Sequence, residues 1–209
     1  MQEQKQDQSF ETGTTTVGLV GKDCVVLAGD KQATMGNLKA SKEAQKVHKL
    51  DDKIGLTIAG SVGDAQRLIR VMKSELKLKR LEVKELSVKG AATLMANILQ
   101  SSKAFPFMNQ FIMGGMGKEG VRVYDLDPLG GLMKHTKFTS TGSGSPTAYG
   151  VLEDSYSEDL KKDKAIKLAV RSIQAASERD INSGEGISVG FIDEEGFRLL
   201  PPEEVEDYL

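Results

Sequence analysis

The order in which strands and helices are predicted constrains this fold more than any other feature of the sequence. β-branched and apolar stretches predict strands first, and two amphipathic helices follow. Further strands, two more helices and a closing hairpin complete the chain. No linker rich in Pro, Gly or Ser divides the 209 residues. Strands and helices grouped in separate runs favour one layered α+β domain over alternating βαβ units.

Periodicity and turn residues give approximate bounds to these elements. Strands are predicted at 14–21, 24–32, 53–61, 110–117, 121–127, 132–141, 187–193 and 197–200, with a loop or short strands over 33–50. Helices are predicted to begin near Ser61 and near Ser87, and to cover 145–154 and about 160–180. Ser61 and Asp64 fit a capping box, and Ser145 is the expected N-cap of the third helix.

Composition excludes several classes of protein. With 28 basic and 30 acidic residues, the chain lacks the basic excess typical of a nucleic-acid binder. One cysteine cannot form a disulfide within the chain, and two histidines with one cysteine argue against a structural zinc site. The longest apolar run, 24–28, is far too short to span a membrane. We therefore expect no metal, no nucleic-acid partner and no membrane segment.

The first thirteen residues, MQEQKQDQSFETG, differ from the rest of the chain. They are polar and rich in Gln, and they lack the apolar stretch of a secretory signal. Such a segment is ordinarily a disordered terminus. It ends, however, where a Thr run opens the first strand. Cleavage of the Gly13–Thr14 bond would give Thr14 a free α-amine beside its hydroxyl, and such an amine can activate the hydroxyl as a nucleophile.

Other candidate residues have ordinary structural interpretations when each is taken alone. Asp30 fits a turn after a strand, and Lys46 lies among other lysines that fit a solvated face. Gly60 fits a turn glycine, although its N–H would also suit an oxyanion. The loop TGSGS at 141–145 precedes a helix and could bind an anion, but it lacks the spacing of a P-loop. The stretch 179–186 resembles a helix stop, and it also carries a carboxylate and a hydroxyl.

Taken together, the order and spacing of these segments resemble the β-type subunits of the proteasome, most closely the archaeal form. The matching segments are Gly13 with the Thr run, GDKQATMGN at 29–37, Lys46, AGSVGDAQ at 59–66, TGSGSPTAYGVLE at 141–153 and RDINSGEG at 179–186. The resemblance implies the N-terminal-nucleophile hydrolase fold, a four-layer αββα sandwich. It also implies a propeptide, 1–13, removed by self-cleavage from a single domain, 14–209.

The same resemblance implies a threonine-type endopeptidase and assigns roles to individual residues. Thr14 would be the nucleophile, with Asp30 and Lys46 paired beside it, and the Gly60 N–H would stabilise the oxyanion. Ser143, Asp180 and Ser183 match the positions that hold the Thr14 amine and its proton-relay water. The substrate pocket would be lined by Ala33, Thr34, Ala44, Ile58, Gly60, Val62 and Gln66.

That lining is mainly apolar and contains no acid or base, so we expect cleavage after hydrophobic residues. The sequence departs from the family at one nearby position. The family often has Arg two residues after the aspartate, and Gln32 stands there in this chain. No nucleophile or oxyanion group is lost by this change, so an active subunit is still expected.

The resemblance also implies partners. These are sister β subunits in a seven-membered ring, α-type subunits, an unfolding ATPase ring and unfolded polypeptide substrates, all in the cytoplasm and with no cofactor. The main alternative is a ring subunit that assembles without being catalytic. A further alternative is the simpler bacterial relative that works without an α-type ring. An anion-binding protein built on the Gly-rich loop is the most distant alternative.

Overall fold

A computed structural model describes residues 13–209, which form two large sheets, a short hairpin and five helices. The strands are β1 (Thr15–Val20), β2 (Val25–Asp30), β3 (Ala33–Met35), β4 (Leu38–Ser41), β5 (Val47–Asp51), β6 (Ile54–Gly60), β7 (Asn109–Gly117), β8 (Gly120–Leu126), β9 (Leu132–His135), β10 (Phe138–Gly142), β11 (Ile187–Asp193) and β12 (Gly196–Leu199). The helices are α1 (Val62–Glu82), α2 (Val88–Ser101), α3 (Ser145–Ser155), α4 (Lys162–Arg179) and α5 (Pro202–Glu206). The expected propeptide, Gly13 apart, lies outside the described residues.

The two sheets are antiparallel and have five strands each. One has the order β10-β1-β2-β11-β12 and the other the order β5-β6-β7-β8-β9, while β3 and β4 form a separate hairpin. The predicted pairs β1–β2 and β11–β12 are both antiparallel neighbours. Because β1 and β2 run in opposite directions, the start of β1 lies beside the end of β2.

Strand β2 shows how the layers stack. Val26 and Ala28 pack in a cluster with α3 and α4, whereas Val25 and Leu27 pack against the second sheet. A strand that is covered on both faces needs apolar side chains on both, which explains the longest apolar run in the sequence. The second sheet is covered on its other face by α1 and α2. The expected α+β sandwich, with helices outside two stacked sheets, is therefore confirmed.

The predicted helical faces agree with the observed packing. All five apolar positions predicted for the first helix are buried: Ala65, Leu68, Ile69, Met72 and Leu76. Ser61 caps this helix by accepting the Asp64 N–H at 3.5 Å, but the Asp64 carboxylate accepts the Met108 N–H instead of completing the box. None of the helices within 13–209 combines the length and the apolar character that crossing a bilayer requires.

Two boundaries were predicted wrongly. The expected strand at 132–141 is two strands in different sheets, because the chain bends after His135 and leaves β8 to pair with β1. Alternation along a strand indicates its two faces but not the sheet to which it belongs. Ser145 is the first residue of α3 rather than its cap; Gly144 is the N-cap and offers no side-chain bond.

Candidate active site

The candidate site lies where β1 begins and β2 ends. Thr14 immediately precedes β1, and the register that pairs Thr16 with Gly29 places Asp30 beside Thr15. Thr14 and Asp30 are both buried. Sheet pairing therefore places Asp30 beside the residue that follows Thr14, although Thr14 and Asp30 are sixteen positions apart in the sequence.

Asp30 is completely buried, and its carboxylate accepts four hydrogen bonds. Oδ1 accepts from Lys46 Nζ at 2.7 Å and from the Thr15 N–H at 2.9 Å. Oδ2 accepts from the N–H groups of Gln32 and Gly184, both at 3.0 Å. A buried carboxylate is tolerated only with such compensation, so the four donors hold both the charge and the position of Asp30.

Lys46 is the lysine that the fold selects for this ion pair. Its side chain is only 8% exposed, whereas those of Lys42 and Lys49 are 70% and 49% exposed. Burial lowers the pKa of Lys46 below its usual value, and the Asp30 carboxylate acts in the opposite direction. The Lys46 side chain is therefore an oriented cation that releases its proton more readily than an exposed lysine.

A second polar cluster surrounds the backbone nitrogen of Thr14. The Thr14 N–H donates to Ser143 Oγ at 3.2 Å, and the Ser143 hydroxyl donates to Asp180 Oδ2 at 2.6 Å. The Ser183 hydroxyl reaches the same carboxylate oxygen at 2.6 Å and lies 2.7 Å from Thr15 Oγ1. The three residues predicted to hold the Thr14 amine thus form one hydrogen-bonded cluster, in which Ser143 contacts the Thr14 nitrogen directly.

Gly60 ends β6 with a φ of +131°, and a Cβ there would overlap the Met108 carbonyl oxygen. Only glycine fits this backbone without strain. The Ile58 N–H donates to Lys46 O at 3.0 Å, and residues two apart on a strand direct their N–H groups to the same edge. The Gly60 N–H therefore points to the edge from which Lys46 approaches.

Thr14, Lys46 and Gly60 line a cavity of about 370 Å³. All seven residues predicted for the substrate pocket lie along it: Ala33, Thr34, Ala44, Ile58, Gly60, Val62 and Gln66. Their role in binding substrate stays a prediction.

The prediction that no acid or base lines this cavity was wrong, because Glu43 and His48 also lie on its wall. Glu43 is exposed on the loop before β5, and His48 is half-buried within β5. His48 Nε2 lies 2.9 Å from Gln45 O. Burial lowers the pKa of His48, and the nearby charge of Lys73 lowers it further. No motif in the sequence indicated either residue, since β5 and α1 meet only in the folded chain.

Among residues 13–209, no group of three or more His, Cys, Asp and Glu side chains is placed to hold a metal ion. The Cys24 thiol is buried outside the site, and burial raises its pKa to about 11. The arrangement thus offers a threonine, a buried ammonium group, backbone N–H donors and a hydroxyl–carboxylate cluster. These are the components of acyl transfer to a hydroxyl.

Comparison with known proteins gives consistent matches. The family described as "Proteasome subunit" matches residues 10–192. A protein of Methanocaldococcus fervens named "Proteasome subunit beta" is 51% identical over 199 residues, which are 94% of this chain and 89% of that protein. Proteins of the same name from Methanosarcina mazei and Ferroglobus placidus are 49% and 50% identical, and each alignment covers at least 96% of both chains.

Proposed function

Because this chain belongs to the proteasome subunit family, we propose that it is a catalytic β-type subunit whose Thr14 hydrolyses peptide bonds after cleavage of the Gly13–Thr14 bond. One observation carries the proposal. Thr14, Lys46 and Gly60 line the same cavity, and the Ser143 hydroxyl oxygen accepts a hydrogen bond from the Thr14 N–H. A nucleophile, a cation and an oxyanion donor therefore meet beside a space that can hold a side chain.

Self-cleavage begins when Thr14 Oγ1 attacks the carbonyl carbon of Gly13. The C–N bond breaks, the nitrogen gains a proton, and an ester forms between Gly13 and the Thr14 oxygen. Water hydrolyses this ester and releases residues 1–13. The Thr14 nitrogen is still an amide during the attack and cannot act as the base. Lys46 lines the same cavity, and we assign it the role of taking the hydroxyl proton, which burial favours by lowering its pKa.

Peptide hydrolysis then uses the free Thr14 amine, whose ordinary pKa of about 7.7–8 leaves a neutral fraction near pH 7. The amine takes the hydroxyl proton as Oγ1 attacks the substrate carbonyl. The Lys46 charge favours the developing alkoxide, and the Gly60 N–H stabilises the oxyanion. The amine product leaves with a proton, and water hydrolyses the remaining ester. Ser143 and Asp180 keep the amine in place throughout.

Two further residues hold this arrangement in register. Asp30 fixes Lys46 through the 2.7 Å contact between Oδ1 and Nζ. Ser183 links Thr15 to the Asp180 carboxylate, so the start of β1 cannot move independently of the loop after α4. The predicted roles of both residues are thus positional.

The cavity sets the substrate preference that we propose. Ala33, Ala44, Ile58 and Val62 give it a mainly apolar wall, which favours cleavage after hydrophobic residues. Glu43 adds an acid at the exposed side, so basic residues are accepted as a secondary class. A pocket this permissive requires control of access, which enclosure in a particle provides.

As a member of this family, the subunit assembles with other proteasome subunits in rings. More specifically, we place it in a seven-membered ring of sister β subunits, stacked on α-type subunits and served by an unfolding ATPase that delivers unfolded polypeptides. We assign the particle to the cytoplasm, as the family resemblance implies.

Intact mass spectrometry of the chain co-assembled with its α-type partner tests the proposal. The wild type should lose residues 1–13, and Thr14→Ala should keep them. Thr14→Ser retains a hydroxyl and should lose them more slowly. A wild-type chain of full mass in an assembled particle without peptidase activity would instead identify a non-catalytic ring subunit.

A further inference from the structure

Gln32 forms a bridge between the strand that ends in Asp30 and the turn after α4. It is only 1% exposed. Its backbone N–H donates to Asp30 Oδ2, and its Nε2 donates to Ile181 O at 2.8 Å and to Thr34 Oγ1 at 2.9 Å. Both Nε2 hydrogens are used, and the carbonyl of Ile181 can only accept, so the orientation of the amide is fixed. Oε1 has no hydrogen-bond partner among residues 13–209.

The turn held by this amide carries groups that surround the scissile bond. Asn182 N–H donates to Asp180 Oδ1 at 3.2 Å, and Ser183 Oγ donates to Asp180 Oδ2. The Asn182 side chain lies against Gly13, where a Cβ would overlap it. The position of the turn therefore determines both the polar cluster at the Thr14 nitrogen and the space available to Gly13.

Gly184, next to this turn, is held to Asp30 and Lys31 by hydrogen bonds of 3.0 Å, whereas fewer contacts hold Ile181 and Asn182. The side chain of Ile181 is 83% exposed and contributes no packing. Thr34 Oγ1 reaches Asn182 O at 3.4 Å, which is close to the limit of a hydrogen bond. The contact from Gln32 Nε2 to Ile181 O is thus the shortest hydrogen bond between the turn at 181–183 and the segment that follows Asp30.

From this geometry we infer that Gln32 is a positioning residue for self-cleavage and for peptide hydrolysis. Its amide donors hold the turn at 181–183, which keeps Asp180 and Ser183 at the Thr14 nitrogen. The inference rests on the proposed function. It concerns the donors alone, because the unpartnered Oε1 does nothing in this arrangement. Arginine, which also carries several N–H donors, should be able to replace glutamine here.

The decisive comparison is between two replacements of similar size. Gln32→Met keeps the volume and loses both donors, and Gln32→Arg keeps donors. Loss of the unpartnered Oε1 offsets the loss of two hydrogen bonds in the Met variant, so its melting temperature in the assembled particle should stay within about 4 °C of the wild type. Gln174→Met, on an exposed position of α4, is the matched control.

We expect Gln32→Met to slow removal of residues 1–13, followed by intact mass, by about 10- to 100-fold, since small displacements of reacting groups have effects of this size. In chains that have been processed, kcat should fall while KM stays within about 2-fold, because Ala44, Ile58 and Val62 are unchanged, although Gln32 also lines the cavity. Gln32→Arg should restore both rates to within about 3-fold of wild type, as expected if only the donors matter.

Wild-type processing and turnover in Gln32→Met would overturn the inference. Equal losses in the Met and Arg variants would overturn it too, because they would show that only the glutamine shape matters. If Gln32→Met fails to assemble, Gln32→Arg is compared with Gln32→Leu, which has no side-chain donors, and equal rates would reject the inference. A wild-type chain that keeps residues 1–13 and shows no peptidase activity would reject the proposed function instead.

Discussion

The two walls of the cavity are built in different ways. The inner wall consists of strand ends, and behind it the buried Asp30 carboxylate accepts four hydrogen bonds. The outer wall consists of the loop before β5 and the first turn of α1, where Glu43, Val62 and Gln66 are exposed. Reacting groups need fixed geometry, whereas a pocket that accepts varied side chains does not. Replacements on the inner wall should therefore affect the reaction rate, and those on the outer wall should affect selectivity.

The largest effect is expected from Lys46→Ala on the inner wall. Peptidase activity should fall by about 10²–10⁴-fold, as for loss of a group that acts on the proton and charge of the nucleophile. The subunit should also lose about 3–5 kcal/mol of stability, because the Asp30 charge stays buried without its partner. Hydrolysis of a fluorogenic peptide and denaturant unfolding measure the two effects. Lys42→Ala, at an exposed neighbouring lysine, is the control. If Lys46→Ala kept more than a tenth of wild-type activity, the role assigned to Lys46 would be contradicted.

Gly60→Ala should have the next largest effect. The new Cβ would overlap the Met108 carbonyl oxygen and displace the N–H that faces the oxyanion, so kcat should fall by about 10²–10³-fold. Gly63→Ala is a close control, because a Cβ there meets nothing within 4 Å. It should retain activity and stabilise α1 by about 0.5–1 kcal/mol. Similar kcat values for the two variants would show that Gly60 does not provide the oxyanion donor.

On the outer wall, Glu43→Gln should alter selectivity more than rate. An exposed carboxylate attracts a cation by about 0.2–1 kcal/mol, so the ratio of cleavage after Lys to cleavage after Leu should fall by about 2- to 5-fold. Cleavage after Leu should stay unchanged. Paired fluorogenic peptides measure this ratio, and Glu153→Gln, at an exposed position of α3, is the control. A constant ratio would remove Glu43 from substrate recognition.

The smallest effect concerns His48 and pH. Burial lowers the pKa of His48 in the folded chain, so the unfolded chain binds more protons as the pH falls through about 6.5. As the pH falls from about 6.5 toward the pKa of His48 in the folded chain, His48 should therefore lower the free energy of unfolding. Raising the pH again should restore it. Melting temperatures measured between pH 7.5 and 5.5 should fall less in His48→Gln than in the wild type. Parallel curves for the two proteins would exclude this contribution.

The same contrast between walls explains how much of the site the sequence predicted. The predicted residues belong to short motifs, and the structure hydrogen-bonds Thr14, Ser143 and Asp180 in one cluster and Asp30 and Lys46 in another, while their roles stay predictions. Glu43 and His48 were missed because they lie outside those motifs and reach the cavity only through the packing of β5 beside α1. Gln32 was noticed only as a departure from the family, and its bond to Ile181 spans 149 positions.

The sequence by itself determined the types of most elements, most of their order and the family, but it did not predict α5. Periodicity and capping residues involve only a few neighbouring positions, so they can be recognised in the sequence without the tertiary structure. Without the family resemblance, nothing in the sequence distinguished Lys46 from its neighbouring lysines, and the tertiary structure shows it buried beside Asp30. Tertiary structure alone decided that 132–141 crosses from one sheet to the other. Both outcomes depend on contacts between segments that are far apart in the sequence. No local stretch of the chain contains both partners of such a contact, so local patterns cannot indicate it.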